Sequence, residues 1–461
     1  MNDLATLIAA FMNCTVGYGK LTGLARLSGG ANMESWAFDW AGSSYVLRRA
    51  PSAKFMDGRP YGHAIEAALV KAAHANGIKA PEVVGVLSDE DGMGTGYVMR
   101  RIVAEVRPAR ILASPPTSLV ADLGRELARI HALPRAAVPS EIPIMDTAEA
   151  LAKLKADFLS YGGDRPVIAL AIKWCEDHLP EPADPVLVHG DYRMGNIMVG
   201  SDGLAAILDW ELAHLGDAHE DLAFGCMTVW RFGRLDKPAY GVGTLDELFA
   251  AYEAAGGLSV DRLRFNFWLV YRTLWWALGC LQMGRAWRSG ADTTVERIVI
   301  GRRTAEQELD LILLLEGEAP EVERIREMPP SAPFGPAPAG EPTNREIVQA
   351  VRDWIKGAIK PQTEGHAKFE TVVAMNALGI VMRDLDAGAR ARTEDAELAT
   401  ALLAGTVSLA DTGLLARLRR VVLDKCKVDS PKYAALDAAR AAWRDSENKK
   451  NCGMGHDSGR S

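Results

Sequence analysis

Two hydrophobic periods divide this chain. In the first hundred residues apolar positions alternate with polar ones over short runs, at 26–40, 44–49, 81–87 and 95–102. These runs are separated by Gly- and Asp-containing turns. That pattern predicts a small, mostly antiparallel sheet. One helical stretch, roughly 62–76 and closed by Gly77, interrupts it, and an amphipathic helix is expected at the N-terminus. From residue 115 onward the period lengthens to that of a helix, with Leu119, Leu123, Leu127 and Ile130 on one face of 118–133 and further helices in 148–178. The long apolar stretch 265–283 contains Asn266, Arg272, Thr273 and Gln282, so a buried helix fits it better than a membrane span. After a Pro/Ala/Gly-rich stretch, helical periodicity returns at 345–359, 364–385, 393–403, 414–424 and 431–445, which predicts a four- or five-helix bundle.

One segment breaks this alternation. An apolar run from Val186 ends in His189, Gly190 and Asp191, and a polar loop leads to Asn196. The apolar 197–199 then reads as a strand, Ser201, Asp202 and Gly203 turn the chain, and 204–208 reads as the returning strand that delivers Asp209. Asp191, Asn196 and Asp209 are thereby expected at one edge of a hairpin. Phosphoryl transfer needs such a trio. A carboxylate orients the attacking hydroxyl and accepts its proton, and an amide oxygen with a second carboxylate holds Mg²⁺ on the nucleotide phosphates. His189 reads as a group that orients the loop, since Asp191 already occupies the base position. Asp217 and Asp221, in GDAHEDLA, are candidates one step removed: Asp217 to assist the metal or orient the loop, Asp221 to bond backbone groups of the catalytic loop.

Composition narrows the class. A chain of 461 residues exceeds a single core, so two or three domains are expected; the net charge of −8 argues against a general nucleic-acid binder. The six cysteines are scattered without CxxC or Cys/His pairing, as expected of a reduced cytoplasmic protein and not of a disulfide scaffold or zinc site. The glycines of the first turn, Gly29 and Gly30, could bring backbone close to phosphates, although no Walker or GxGxxG pattern is present.

HGDYRMGN followed by ILDWE and GDAHEDLAF resembles the aminoglycoside phosphotransferase and choline kinase family of small-molecule kinases. The resemblance implies an α+β, protein-kinase-like two-lobed fold, with a small antiparallel β N-lobe and a mainly helical C-lobe, and ATP with Mg²⁺ as cofactors. It also implies that Arg48, at the position of the usual lysine, contacts the α and β phosphates, that Glu66 pairs with it, and that backbone in a hinge around Met99 and Arg101 holds the adenine. Arg49, the neighbour on the same strand, is the rival for Arg48's role.

Within that family the chain resembles the branch attached to acyl-CoA dehydrogenases in animals and the bacterial kinases of levulinate catabolism, whose small helical companion is similar to the C-terminal helices here. The branch implies a 4-hydroxyacyl-CoA acceptor. Aromatic and basic residues in 227–232 and 265–303, Trp230, Trp268, Arg231 and Arg303 among them, would suit an acyl chain and anionic groups, or are simply core and solvated helix faces. The expected layout is N-lobe 1–101, C-lobe 102–328, linker 329–343, an all-α bundle 344–446 for packing, self-association or a partner enzyme, and a disordered tail 447–461. Alternatives are a kinase of another small alcohol (aminoglycoside, choline or sugar) and a non-catalytic nucleotide-binding regulator.

Overall fold

A computed structural model describes residues 2–27, 33–51, 56, 59–292, 294–331, 343–387 and 395–445. The first glycine turn with Gly29 and Gly30, most of the Pro/Ala/Gly stretch and the tail lie outside the described residues. The chain divides into two compact units, one formed by Met1–Glu149, Pro180–Leu269 and Glu364–Phe369, the other by Ala150–Leu179, Val270–Thr363 and Glu370–Ser461.

In the first unit β1 (Leu21–Arg26), β2 (Glu34–Trp40), β3 (Ser43–Ala50), β4 (Val83–Val86) and β5 (Thr95–Arg100) form one antiparallel sheet in the order β1-β2-β3-β5-β4. Its two faces are set by strand alternation. Tyr45 and Leu47 of β3 join Phe38, Trp40 and Val98 in a core closed by Leu4, Ile8, Phe11 and Met12 of the helix Asn2–Thr15. The intervening residues of β3 look to the other side, where the helix His63–Ala75 packs on β4 and β5. Arg48 and Arg49 therefore point to opposite faces. Arg49 pairs with Glu34 at 2.9 Å, while Arg48 meets Glu66 at 3.3 Å.

The predicted hairpin forms: β7 (Ile197–Gly200) pairs antiparallel with β8 (Gly203–Ile207), Ile197 opposite Ile207. A second ladder, not anticipated from the pattern, pairs β6 (Val186–Val188) with β9 (His214–Gly216). Helix Leu119–His131, apolar on one face as its period demands, packs against Leu245–Ala254 and supports β6 and β8.

Toward the C-terminus the helices Asn344–Trp354, Gly365–Ala387, Ala396–Leu403, Leu414–Asp429 and Ala434–Ala442 match the five expected periodic segments. In the second unit Ala396–Leu403 packs on Pro166–Asp177 and Leu414–Asp429 on Thr304–Leu315. The interface carries charge as well as apolar surface: Glu308, fully buried, meets Arg165 and Lys425, each at 3.2 Å. Among the described residues no helix is long and apolar enough to cross a membrane.

Candidate active site

The hairpin places the trio together. Ile197 and Ile207 pair, and just outside that pair Leu208 N–H donates to Asn196 O at 2.8 Å, so Asn196 and Asp209 sit beside each other where the ladder opens. Asp209 leaves the strand with φ +66°, a left-handed conformation that costs a non-glycine residue about 1–3 kcal/mol and persists only where surroundings enforce it. Asn196 Nδ2 donates to Asp191 Oδ2 at 2.6 Å and to Asp191 O at 3.0 Å, which closes the polar loop on itself.

His189 is buried, with its ring 4.7 Å from that of Trp210, and its Nδ1 accepts the Asp191 amide N–H at 3.2 Å. Burial lowers its basicity, which keeps the ring neutral and able to accept. Gly190 follows with φ +79°; a Cβ there would lie 2.4 Å from Leu212 O, so the loop admits only glycine where protein kinases carry arginine. Asp221, in the helix Ala218–Phe224, accepts from His189 N at 2.7 Å and Gly190 N at 2.9 Å, and its Oδ2 lies 3.3 Å from His131 Nε2. His131 in turn contacts Tyr252 Oη at 2.8 Å. The loop is thus suspended from a buried carboxylate that a histidine and a tyrosine brace from behind.

Asp217 is engaged by groups of its own helix and of the helix Arg262–Arg288. It caps the helix Ala218–Phe224 through His219 N and is committed to His219, Arg264 and Trp268 Nε1. Burial raises its pKa, but the hydrogen bonds from His219 and Trp268 outweigh that and hold the carboxyl well below the usual range.

Across from the hairpin stands Arg48. It contacts Asp209 Oδ1 and Glu211 Oε2, each at 2.6 Å, besides Glu66; Glu211 also binds Arg59, and Tyr97 Oη donates to Glu66 at 2.9 Å. Burial would disfavour charge throughout this cluster. At Asp209 the attraction of Arg48 and Arg193 prevails and holds the pKa down, whereas burial and the neighbouring Asp209 push Glu211 up to about 7. Burial likewise raises Glu66 and Asp191. Asn196 and Asp209 fit a hard cation: both offer oxygen, the Asn196 amide nitrogen is committed to Asp191, and the Asp209 side chain keeps 27% of its exposure.

Both the end of β5 and the aromatic stretch are tied into the fold. The Arg101 amide N–H donates to Ser44 O at 3.0 Å, and Met99 lies within the ladder between Val46 and Val83. The aromatic and basic stretch is mostly core and internal pairing: Trp268 and Tyr271 are buried, Arg231 bonds Cys226 O, and Arg303 pairs with Glu306 at 3.0 Å. Sequence reading missed Glu211, Tyr97 and Arg193. Glu211 was visible as the acid two residues after Asp209. Tyr97 faces Arg48 across β3 and β5, which only the register reveals.

The sequence profile of the phosphotransferase enzyme family (APH) matches residues 23–260, and that of a domain of unknown function (DUF6285) matches residues 361–433. Acyl-CoA dehydrogenase family member 10 of Mus musculus is 24% identical over 283 residues, covering 54% of this chain and 25% of that protein. The chain therefore spans about a quarter of that relative's length. Homoserine kinase of Sinorhizobium fredii is 21% identical over 280 residues, 57% of this chain and 78% of that one. A crystal structure from Ralstonia eutropha JMP134, provisionally described as an aminoglycoside phosphotransferase, superposes with a TM-score of 0.54 at 20% identity, covering 68% of this chain and 98% of that one. The matched region contains the whole of the Arg48, Asp191 and Asp209 cluster, and the chain belongs to the phosphotransferase enzyme family, the kinases of small molecules.

Proposed function

We propose that this chain transfers the γ-phosphate of ATP to the hydroxyl of a 4-hydroxyacyl-CoA. The observation that carries the phosphoryl-transfer half is the convergence of Asp191, Asn196 and Asp209 at the open end of the β7/β8 hairpin, opposite Arg48 and its Glu66 partner. Asp191 orients the substrate hydroxyl and takes its proton as the O–P bond forms and the bond to ADP breaks. Arg48, steadied by Glu66, contacts the α and β phosphates, and the fork of the guanidinium suits it to that task. Asn196 and Asp209 hold Mg²⁺, which when bound offsets the negative charge of the phosphates. The acceptor half is supported by likeness to the acyl-CoA dehydrogenase family members. The C-terminal helices serve as a companion to the kinase in the same chain.

The test is product detection by mass spectrometry with Mg-ATP and a panel of 3- and 4-hydroxyacyl-CoAs, homoserine, choline and an aminoglycoside. A phosphorylated acyl-CoA is expected. Phosphorylation of homoserine, choline or the aminoglycoside alone would overturn the acceptor and leave the catalytic assignment standing. Asp191→Asn is expected to lower kcat by about 10²–10⁴, and normal magnesium dependence in Asp209→Asn would remove that residue from the metal site.

A further inference from the structure

The catalytic loop contains a cation that phosphoryl transfer as described does not use. Arg193 Nε donates to Asp191 Oδ1 at 2.7 Å, and Nη2 lies 3.3 Å from Oδ2. With Asn196 Nδ2 on Oδ2, both carboxylate oxygens are engaged by residues within five positions of Asp191 itself. A carboxylate has about four lone-pair sites, so a lone pair of Oδ1 stays open for an incoming hydroxyl while rotation of the group is blocked.

Arg193 is in turn held from outside the loop. Its guanidinium carbon sits 4.2 Å from the centre of the Trp230 ring, within cation–π range, and Nη1 donates to Met194 O at 3.2 Å. Trp230 is 6% exposed and comes from the separate turn Thr228–Arg231. Room for this pose is made at Gly195, whose φ of +109° and missing side chain matter directly: a Cβ would lie 2.8 Å from Arg193 Nη1. The pair is no solvated surface contact, since the side chains of Arg193 and Asp191 retain 23% and 13% of their exposure. A surface pair would be worth little. Here the ring fixes the cation and the cation fixes the carboxylate.

We infer that Arg193, clamped on Trp230, is a positioning residue that holds the Asp191 carboxylate in the one orientation that receives the acceptor hydroxyl. This rests on the assignment of Asp191 as the proton acceptor. If Arg193 acts through Asp191, its loss slows the step at saturation. If it merely braces the loop, its loss affects stability and not kcat.

ADP release from Mg-ATP, with 4-hydroxypentanoyl-CoA and with water alone as acceptor, separates these cases. Arg193→Met is expected to lower kcat about ten- to a hundredfold, the rate equivalent of one charged hydrogen bond, at unchanged KM for ATP. Arg193→Lys falls between, and Trp230→Leu lowers kcat less than Arg193→Met. Guanidinium ion added to Arg193→Ala restores part of the rate and does nothing for Asp191→Asn, a readout that survives even if the Met variant folds poorly. Wild-type kcat in Arg193→Met beside an inactive Asp191→Asn would overturn the role of Arg193 alone. Full activity in Asp191→Asn would overturn the base assignment beneath it.

Discussion

Replacing Asp221 with Asn keeps the shape of the side chain and removes one acceptor and the charge. In the native loop the two carboxylate oxygens serve two backbone donors, His189 N and Gly190 N, at 2.7 and 2.9 Å, with no solvent to substitute for them. The amide can serve only one; its NH₂ then faces the other N–H, donor against donor. A hydrogen bond to a charged group contributes about 1.5–3 kcal/mol, and a stranded buried donor costs about 1–3 kcal/mol. These overlap and do not add in full, so local opening of the loop should become easier by about 3 kcal/mol, or roughly a hundredfold. Amide hydrogen exchange measured at His189 and Gly190 reads that number directly. Exchange at the wild-type rate in Asp221→Asn would refute the idea that this carboxylate suspends the loop. The variant's kcat should fall with the protection, because Asp191 is carried by the same loop.

Three other perturbations probe different parts of the molecule. His63, 2% exposed and bonded to Thr95 Oγ1, has its pKa lowered to about 4 by burial and by Arg48 and Arg59. Its neutral form is the native one, so it contributes fully above the unfolded value near 6.5, and up to about 3 kcal/mol is lost as pH falls from there toward 4. Denaturation midpoints of His63→Gln should vary less over that window than those of the wild type. Gly190→Ala must place a Cβ 2.4 Å from Leu212 O at positive φ, costing about 3 kcal/mol or more in urea unfolding, with loss of turnover. Glu308→Gln removes the buried carboxylate that Arg165 and Lys425 share; a fall in stability of about 1.5–3 kcal/mol, the worth of a hydrogen bond to a charged group and seen as a lowered Tm, is expected.

Local rules explain which parts could be foreseen. The β7/β8 hairpin, the helix bearing Glu66 and the five C-terminal helices follow from period, turn residues and caps acting over a dozen positions. Strand alternation likewise puts Arg48 on the face of Glu66 and Arg49 on that of Glu34. What escaped depends on partners distant in sequence. The partners of Asp217, Arg264 and Trp268, come from another helix that the local sequence does not announce. Arg193 stood in plain view, yet only the ring of Trp230 beneath it distinguishes a held cation from a solvated one. The aromatic stretch stayed open between two readings because helical spacing is the same for a core residue and a pocket residue.

Arg48 also sets an order of events during synthesis. It belongs to a sheet encoded in the first hundred residues, but Asp209 and Glu211 follow it by 161 and 163 positions. At about 5–20 residues per second the ribosome delivers them roughly 10–30 s later. Through that interval Glu66 is the carboxylate partner already emerged, one acid where the finished site supplies three. The nascent sheet therefore carries a cation with one of its three carboxylate partners, and the other two arrive only with the peptide segment that brings Asp209.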